Sequence, residues 1–148
     1  MTIREVKPEG EVLKELIRLS GEWEAENNCR GYRENGPADI EGRRVFVCEE
    51  NDRIVGYLFG ITERVEKDSS VAKSGEEYFE LEELYVVPEM RSKGIGRELF
   101  RYAEEALKNE VGLIMLSTAA KDAKRILKFY LEDNLMDFWS ARLFKRIK

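Results

Sequence analysis

Histidine and glutamine are absent from the 148 residues, and cysteine occurs only twice, as Cys29 and Cys48, without metal-ligand spacing. A zinc site and a Cys-His nucleophile are therefore excluded, and no metal is expected. Cys48 lies in an apolar stretch and reads as core filling. No apolar run approaches the length that crosses a bilayer, and the N-terminus lacks the basic-then-apolar pattern of a secretory signal, so the expectation is a soluble, cytoplasmic protein without a membrane partner. A broad basic face is missing too. With 25 Lys and Arg against 30 Asp and Glu the net charge is −5, which argues against nucleic-acid binding and suits a cationic partner such as an amine. Internal repeats and low-complexity tracts are also lacking, and the length is that of one domain spanning residues 1–148. The 37% of charged residues, combined with the missing Gln and His, is a composition found in thermophiles.

What is present is concentrated between residues 84 and 99. Leu84 to Val87 is β-branched, aromatic and apolar on both faces, as a buried strand requires, and Pro88 cannot donate to a sheet ladder. From Ile95 onward Leu99, Tyr102, Ala103, Ala106 and Leu107 recur at helical spacing, opposed by Arg97, Glu98, Arg101, Glu104, Glu105 and Lys108. The intervening turn carries Gly94 and Gly96, whose missing side chains let several N–H groups at a helix start face one anion. Arg91, Lys93 and Arg97 add positive charge around it. The spacing predicts a phosphate or pyrophosphate ligand; a tight strand-to-helix turn with a solvated basic rim is the alternative. A Walker loop is excluded because Gly-Lys-Ser/Thr is absent, and an early Gly-x-Gly-x-x-Gly dinucleotide fingerprint is not found.

Arg91-Ser92-Lys93-Gly94-Ile95-Gly96, preceded by Leu84-Tyr85-Val86-Val87-Pro88, resembles motif A of the GNAT superfamily of acyl-CoA-dependent N-acyltransferases. The resemblance implies acetyl-CoA as cosubstrate. The N–H groups from Ser92 through Arg97 (Ser92, Lys93, Gly94, Ile95, Gly96 and Arg97) would hold its pyrophosphate, and the backbone of Leu84, Tyr85 and Val86 would pair with the pantetheine arm. Arg91 completes the cofactor-binding set. Dimers are frequent among such proteins, which leaves a homodimer open.

Along the chain, Thr2 to Val6 alternates as a strand, and Val12, Leu13, Leu16, Ile17, Leu19 and Trp23 mark a helix with Glu22, Glu24 and Glu26 outside. Residues 27–42 read as a loop or short irregular helix. In the resembling family this region covers the acceptor, so Trp23 and Tyr32 are candidate acceptor contacts; a core Trp beside a solvated acidic face is the other reading. Arg44 to Cys48 and Ile54 to Thr62 form a hairpin through Asn51-Asp52, with Gly56 and Gly60 marking a bulge or close approach. Residues 64–77 are an exposed loop, 78–87 a strand, 111–116 an apolar strand, and 122–133 a helix closed by a left-handed Asn134. Met136 to Ile147 offers one or two closing strands. The order βααββββαβαβ predicts a mixed α/β fold of GNAT type, with a mostly antiparallel sheet of about six to seven strands flanked by about four helices.

Acyl transfer to an amine needs a proton acceptor, an oxyanion donor and an acid for the departing thiolate. Strand alternation places Glu80, Glu82, Leu84 and Val86 on one face and Leu81, Glu83 and Tyr85 on the other. Glu82 and Glu80 are the candidate bases, with salt bridging at the sheet edge as the alternative, and Glu83 is expected to face away. The backbone N–H of Val86 is the expected oxyanion donor. Ile126-Leu127-Lys128-Phe129-Tyr130 resembles a family helix whose Tyr protonates the coenzyme sulfur, which makes Tyr130 the candidate acid; a core Tyr is the alternative. The resemblance departs at Ala123, where Asn is common. The expected function is acetyl transfer to a primary amine of a small molecule, a protein N-terminus or a lysine, and the competing expectation is a non-catalytic acyl-CoA sensor.

Overall fold

The computed structural model describes residues 1–148. Its elements are β1 (Thr2–Val6), α1 (Gly10–Glu26), α2 (Pro37–Ile40), β2 (Arg44–Glu50), β3 (Arg53–Arg64), β4 (Glu77–Val86), α3 (Ile95–Leu107), β5 (Leu113–Met115) and α4 (Ala123–Lys128). The five strands form one sheet in chain order, antiparallel from β1 to β4, with β5 added parallel to β4.

Local chemistry sets most boundaries. Asn27 ends α1 in the left-handed region at φ 53°, its N–H donating to the Glu24 carbonyl at 3.0 Å. Asn51 and Asp52 both take positive φ, 51° and 60°, the conformation that a two-residue hairpin of the sheet's own twist requires. Asp122 caps α4 by accepting from the Arg125 N–H at 3.2 Å.

The sheet is covered on both faces. On one side Ile95 and Leu99 of α3 lie against Gly56, where an added Cβ would come within 3.2 Å of Leu99 and 3.3 Å of Ile95, and Tyr102 meets Phe46 edge to face. On the other, Trp23 of α1 stacks on Tyr85 at 5.2 Å. Leu16, Leu19, Phe46, Tyr57, Leu58, Leu99 and Leu107 are fully buried between these layers.

Three expectations are corrected here. The sheet has five strands rather than six to seven, because residues 134–148 form no strand and leave Leu135, Phe138, Trp139, Leu143, Phe144 and Ile147 exposed. Asn134 is not left-handed; its φ is −112°, and Leu135 takes the positive φ of 55° instead. The helix from 122 to 133 is α-helical only to Lys128 and widens into a π turn over Phe129–Asp133.

Candidate active site

Two strand irregularities create the site. β5 pairs with β4 only at Tyr78, Phe79 and Glu80, then leaves, so β4 from Leu81 to Val86 has no neighbour on that side. Within β4, Leu81 and Glu83 pair with the consecutive residues Gly60 and Phe59, so Glu82 is an extra bulged residue and the strand turns where it opens. The gap opens into a cavity of about 230 Å³ between α1, the 29–32 loop, β4, residues 116–120, and α4 with its π turn.

Backbone direction follows from one bond. The Val87 N–H donates to the Val55 carbonyl on β3 at 2.9 Å. Successive residues of a strand address opposite neighbours, so Tyr85 also faces β3 while Leu84 and Val86 turn their amides to the gap. Tyr85 therefore drops out of the expected backbone contacts to an extended ligand; Leu84 and Val86 keep that geometry.

Beyond Pro88–Met90, a 3₁₀ turn, positive φ at Ser92 (64°) and Gly94 (84°) alternates with ordinary values and curls the chain into a concave nest leading into α3. No protein acceptor takes the N–H groups of Ser92, Lys93, Gly94, Ile95, Gly96 or Arg97, and the first α3 amide to be engaged is that of Glu98, at 3.0 Å from the Gly94 carbonyl. Six consecutive free donors at the positive end of a helix dipole fit a diphosphate. The two glycines have different reasons. Around Gly94 an added Cβ meets nothing within 4 Å, and it is the φ of +84° that demands glycine; at Gly96 a Cβ would sit 3.2 Å from the Phe129 ring, so its role is close packing of α3 against the π turn.

Arg91 is not a free phosphate ligand. Its Nε donates to the Val86 carbonyl at 2.8 Å and its two terminal nitrogens to the Glu26 carboxylate at 2.6 and 2.8 Å, while its guanidinium lies 5.3 Å from the Tyr85 ring centroid. Glu26, expected outside its helix, is half-buried and also accepts from the Tyr85 hydroxyl at 2.9 Å. Burial pushes the Glu26 carboxyl up, but the hydrogen bonds from Arg91 and Tyr85 and the guanidinium charge more than offset it and hold it below the usual range. This pair ties the end of α1 to β4 where the strand ends. Arg91→Ala is expected to lower stability by about 2 kcal/mol, read as a Tm drop of about 4–8 °C. Because the Glu26 carboxyl is depressed in the folded state, that contribution is present above its unfolded value and is lost as pH falls through the folded one. A Tm at pH 7 equal to that of the parent protein would mean the clamp contributes nothing.

The acidic residues of β4 divide by surroundings. Glu80 pairs in register with Ile61 and Met115, at the closed end of the β4–β5 gap, and does not line the cavity. Glu82 lines it, but its carboxylate is engaged by the Arg43 guanidinium at 2.9 and 3.3 Å. Glu83, expected to face away, reaches into the cavity. Its Oε1 accepts from the Tyr32 and Tyr57 hydroxyls at 2.7 and 2.9 Å and its Oε2 from the Asn35 side-chain amide at 2.9 Å, with no cation beside it. Burial pushes the Glu83 carboxyl above its ordinary range, against the opposing pull of those three donors. The expected face parity fails at this bulge: in register with β3, Leu81 lies with Leu84 and Val86 on the α3 face, and Glu80 lies with Glu83 and Tyr85 on the α1 face, so the extra residue Glu82 is what turns Glu83 to the side of Trp23, Tyr32 and Tyr57.

Tyr130 is 8% exposed, packs edge to face on Phe129 at 5.0 Å, and lines the same cavity. Burial raises its phenol, which stays protonated throughout the neutral range. Trp23 and Tyr32 also line the cavity, their rings 4.2 Å apart. Nothing in the linear sequence pairs Tyr32, Asn35 and Tyr57 with Glu83. No group of three or more His, Cys, Asp and Glu side chains could hold a metal ion, and no helix is long and apolar enough to cross a membrane.

The profile of the acetyltransferase (GNAT) family matches residues 13–133. No curated protein matches the chain in sequence. Among solved structures, the chain superposes on an aminoglycoside acetyltransferase from an uncultured soil metagenomic sample, crystallised with trehalose, with a TM-score of 0.69 and 16% identity over 99% of this chain and 96% of the other. A variant of the BH1408 protein of Bacillus halodurans gives 0.70 and 19% over all of both chains. The aminoglycoside N-acetyltransferase AAC(6')-Iy in complex with CoA gives 0.63 and 13% over 99% of this chain and 98% of the other. At these identities the likeness is one of fold.

Proposed function

Because the chain belongs to the acetyltransferase (GNAT) family, we propose that it moves an acetyl group from acetyl-CoA to a primary amine by direct attack, with Glu83 as the proton acceptor and Tyr130 as the proton donor. The observation that carries this reading is that the unpaired carboxylate of Glu83 and the phenol of Tyr130 line one cavity, in the gap that β5 leaves beside β4. Acetyl-CoA supplies a thioester carbonyl that an uncharged amine can attack. The N–H groups of Ser92 to Arg97 would take its diphosphate, and the gap-facing backbone of Leu84 and Val86 its extended arm. The Val86 amide would then be the donor for the oxygen that gains charge. The Arg91 side chain supports this arrangement through the Val86 carbonyl rather than through phosphate.

The proton inventory closes. An ammonium with a solution pKa of about 10.4 must lose one proton before its nitrogen can attack, and Glu83 accepts it. As the N–C bond replaces the C–S bond, the amide nitrogen loses a second, and the Tyr130 hydroxyl relays one to the sulfur. A homodimer is the assembly that the family resemblance suggests for this chemistry, and the cytoplasm is the setting proposed from the sequence.

Tyr130→Phe is expected to lower kcat by about 10–100-fold with acetyl-CoA affinity unchanged, read by thiol release and by isothermal titration. An unchanged kcat would remove Tyr130 from the mechanism. The competing reading, an acyl-CoA sensor without turnover, leaves Glu83 unexplained, since a buried carboxylate without a cation weakens the fold unless it is used. A thiol-release screen across amines separates the two.

A further inference from the structure

We propose that the acceptor is a monoamine on an apolar or aromatic body, not a polycation; this deepens, and rests on, the acetyl-transfer reading. The cavity has three charged residues in its lining, Arg30, Glu82 and Glu83. Glu82 is neutralised by Arg43 and, just behind the wall, Glu26 by Arg91, so Glu83 alone is left to receive an ammonium group. Arg30 is exposed at the rim, has no carboxylate partner, and rests its guanidinium 4.9 Å from the Phe144 ring centroid. A second or third ammonium on the acceptor would thus meet the positive charge of Arg30 at the rim where it needs a carboxylate.

The rest of the lining suits a carbon skeleton. Trp23 and Tyr32 present an aromatic corner beside Glu83 with rings tilted 44° to each other, while the apolar wall of Leu84, Leu116 and Ile126 belongs to the gap that would take the extended arm of acetyl-CoA. The indole N–H of Trp23 is already satisfied by the Asn28 side-chain oxygen at 2.9 Å, and the Tyr32 hydroxyl by Glu83 at 2.7 Å, so what the two rings add to the lining is aromatic carbon rather than a free polar group. An ammonium held at Glu83 lies next to the Tyr32 ring, whose hydroxyl donates to the same carboxylate, and cation–π attraction to that aromatic carbon would add to the carboxylate's pull. A polyhydroxylated amino sugar finds few partners in such a lining.

Initial rates of thiol release with 2-phenylethylamine, spermidine and sisomicin test this. Wild type is expected to show a kcat/KM for 2-phenylethylamine at least about 10-fold above the other two. Trp23→Ala should raise the KM for it about 10-fold with little change in kcat. Arg30→Glu should raise kcat/KM for spermidine about 10-fold while leaving 2-phenylethylamine unaffected. Preference of the wild type for spermidine or sisomicin would overturn the proposal. Should none of the three be acetylated, quenching of tryptophan fluorescence by 2-phenylethylamine in wild type and its loss in Trp23→Phe would uphold the occupant and remove the transfer reading. Quenching by a polycation alone, or by none, would overturn the occupant.

Discussion

Glu83→Gln is expected to lower kcat/KM at pH 7 by about 10²–10³-fold, the range that loss of a positioned proton acceptor produces. Affinity for acetyl-CoA should be unchanged. The substitution keeps an acceptor for the Tyr32 and Tyr57 hydroxyls, removes the capacity to take a proton, and sets an NH2 group opposite Asn35, whose own amide flips to present its oxygen. Stability moves the other way. Glu83 has its carboxyl raised in the folded protein, so its contribution to stability is fully present below the unfolded value and is lost as pH rises through the folded one. Above the folded value the ionised side chain therefore weakens the fold, and there the Gln variant should melt at the same temperature or higher. A pH profile adds a second check. Glu83 must be ionised to act, so the acid limb of kcat/KM lies above the ordinary carboxylate range, and Tyr32→Phe, which deletes a donor to the anion, should move it higher still. Full activity in Glu83→Gln would return the role to water or to another group.

The second large effect belongs to the turn before α3. Gly94→Val should raise the Kd for CoA by at least about 10²-fold, roughly the loss of two hydrogen bonds to a charged ligand, and leave the protein folded. No protein atom lies within 4 Å of an added Cβ at Gly94, so nothing clashes, but a β-branched residue is strained at φ +84°. The backbone relaxes by rotating the peptides on either side, and the donors of Gly94 and Ile95 turn out of the nest. Gly96→Ala is the informative contrast. Its methyl would press on the Phe129 ring at 3.2 Å, so it should lower Tm more than Gly94→Val does while weakening CoA binding less. Equal affinity for CoA in the parent and in Gly94→Val would contradict the diphosphate cradle.

These two positions mark what the sequence makes legible. The nest was readable because its requirements are local: a strand stop at Pro88, a glycine at a left-handed position, and a helix start, all within ten residues of chain. The hairpin at Asn51-Asp52 was readable for the same reason. Glu83 was not, since its environment joins residues 32, 35, 57 and 83, and its access to the cavity follows from where β5 abandons β4. Strand periodicity would set Glu83 on the face of Leu81, but the extra residue at Glu82 breaks that order and turns the two to opposite faces. Arg91 shows the converse. A basic residue in a basic turn looks like a phosphate ligand until its partner Glu26, 65 residues away, is placed beside it. The C-terminal stretch misled because its apolar residues resemble closing strands; between residues 134 and 148 none of them enters the sheet.

Backbone amide shifts of the nitrogen-15-labelled protein, followed while CoA is added, test the central claim most directly. The account predicts that the largest shifts fall on Ser92, Lys93, Gly94, Ile95, Gly96 and Arg97, whose N–H groups no protein acceptor holds, with smaller ones at Leu84 and Val86. Saturable binding that moves another segment and leaves residues 92–97 in place would contradict it.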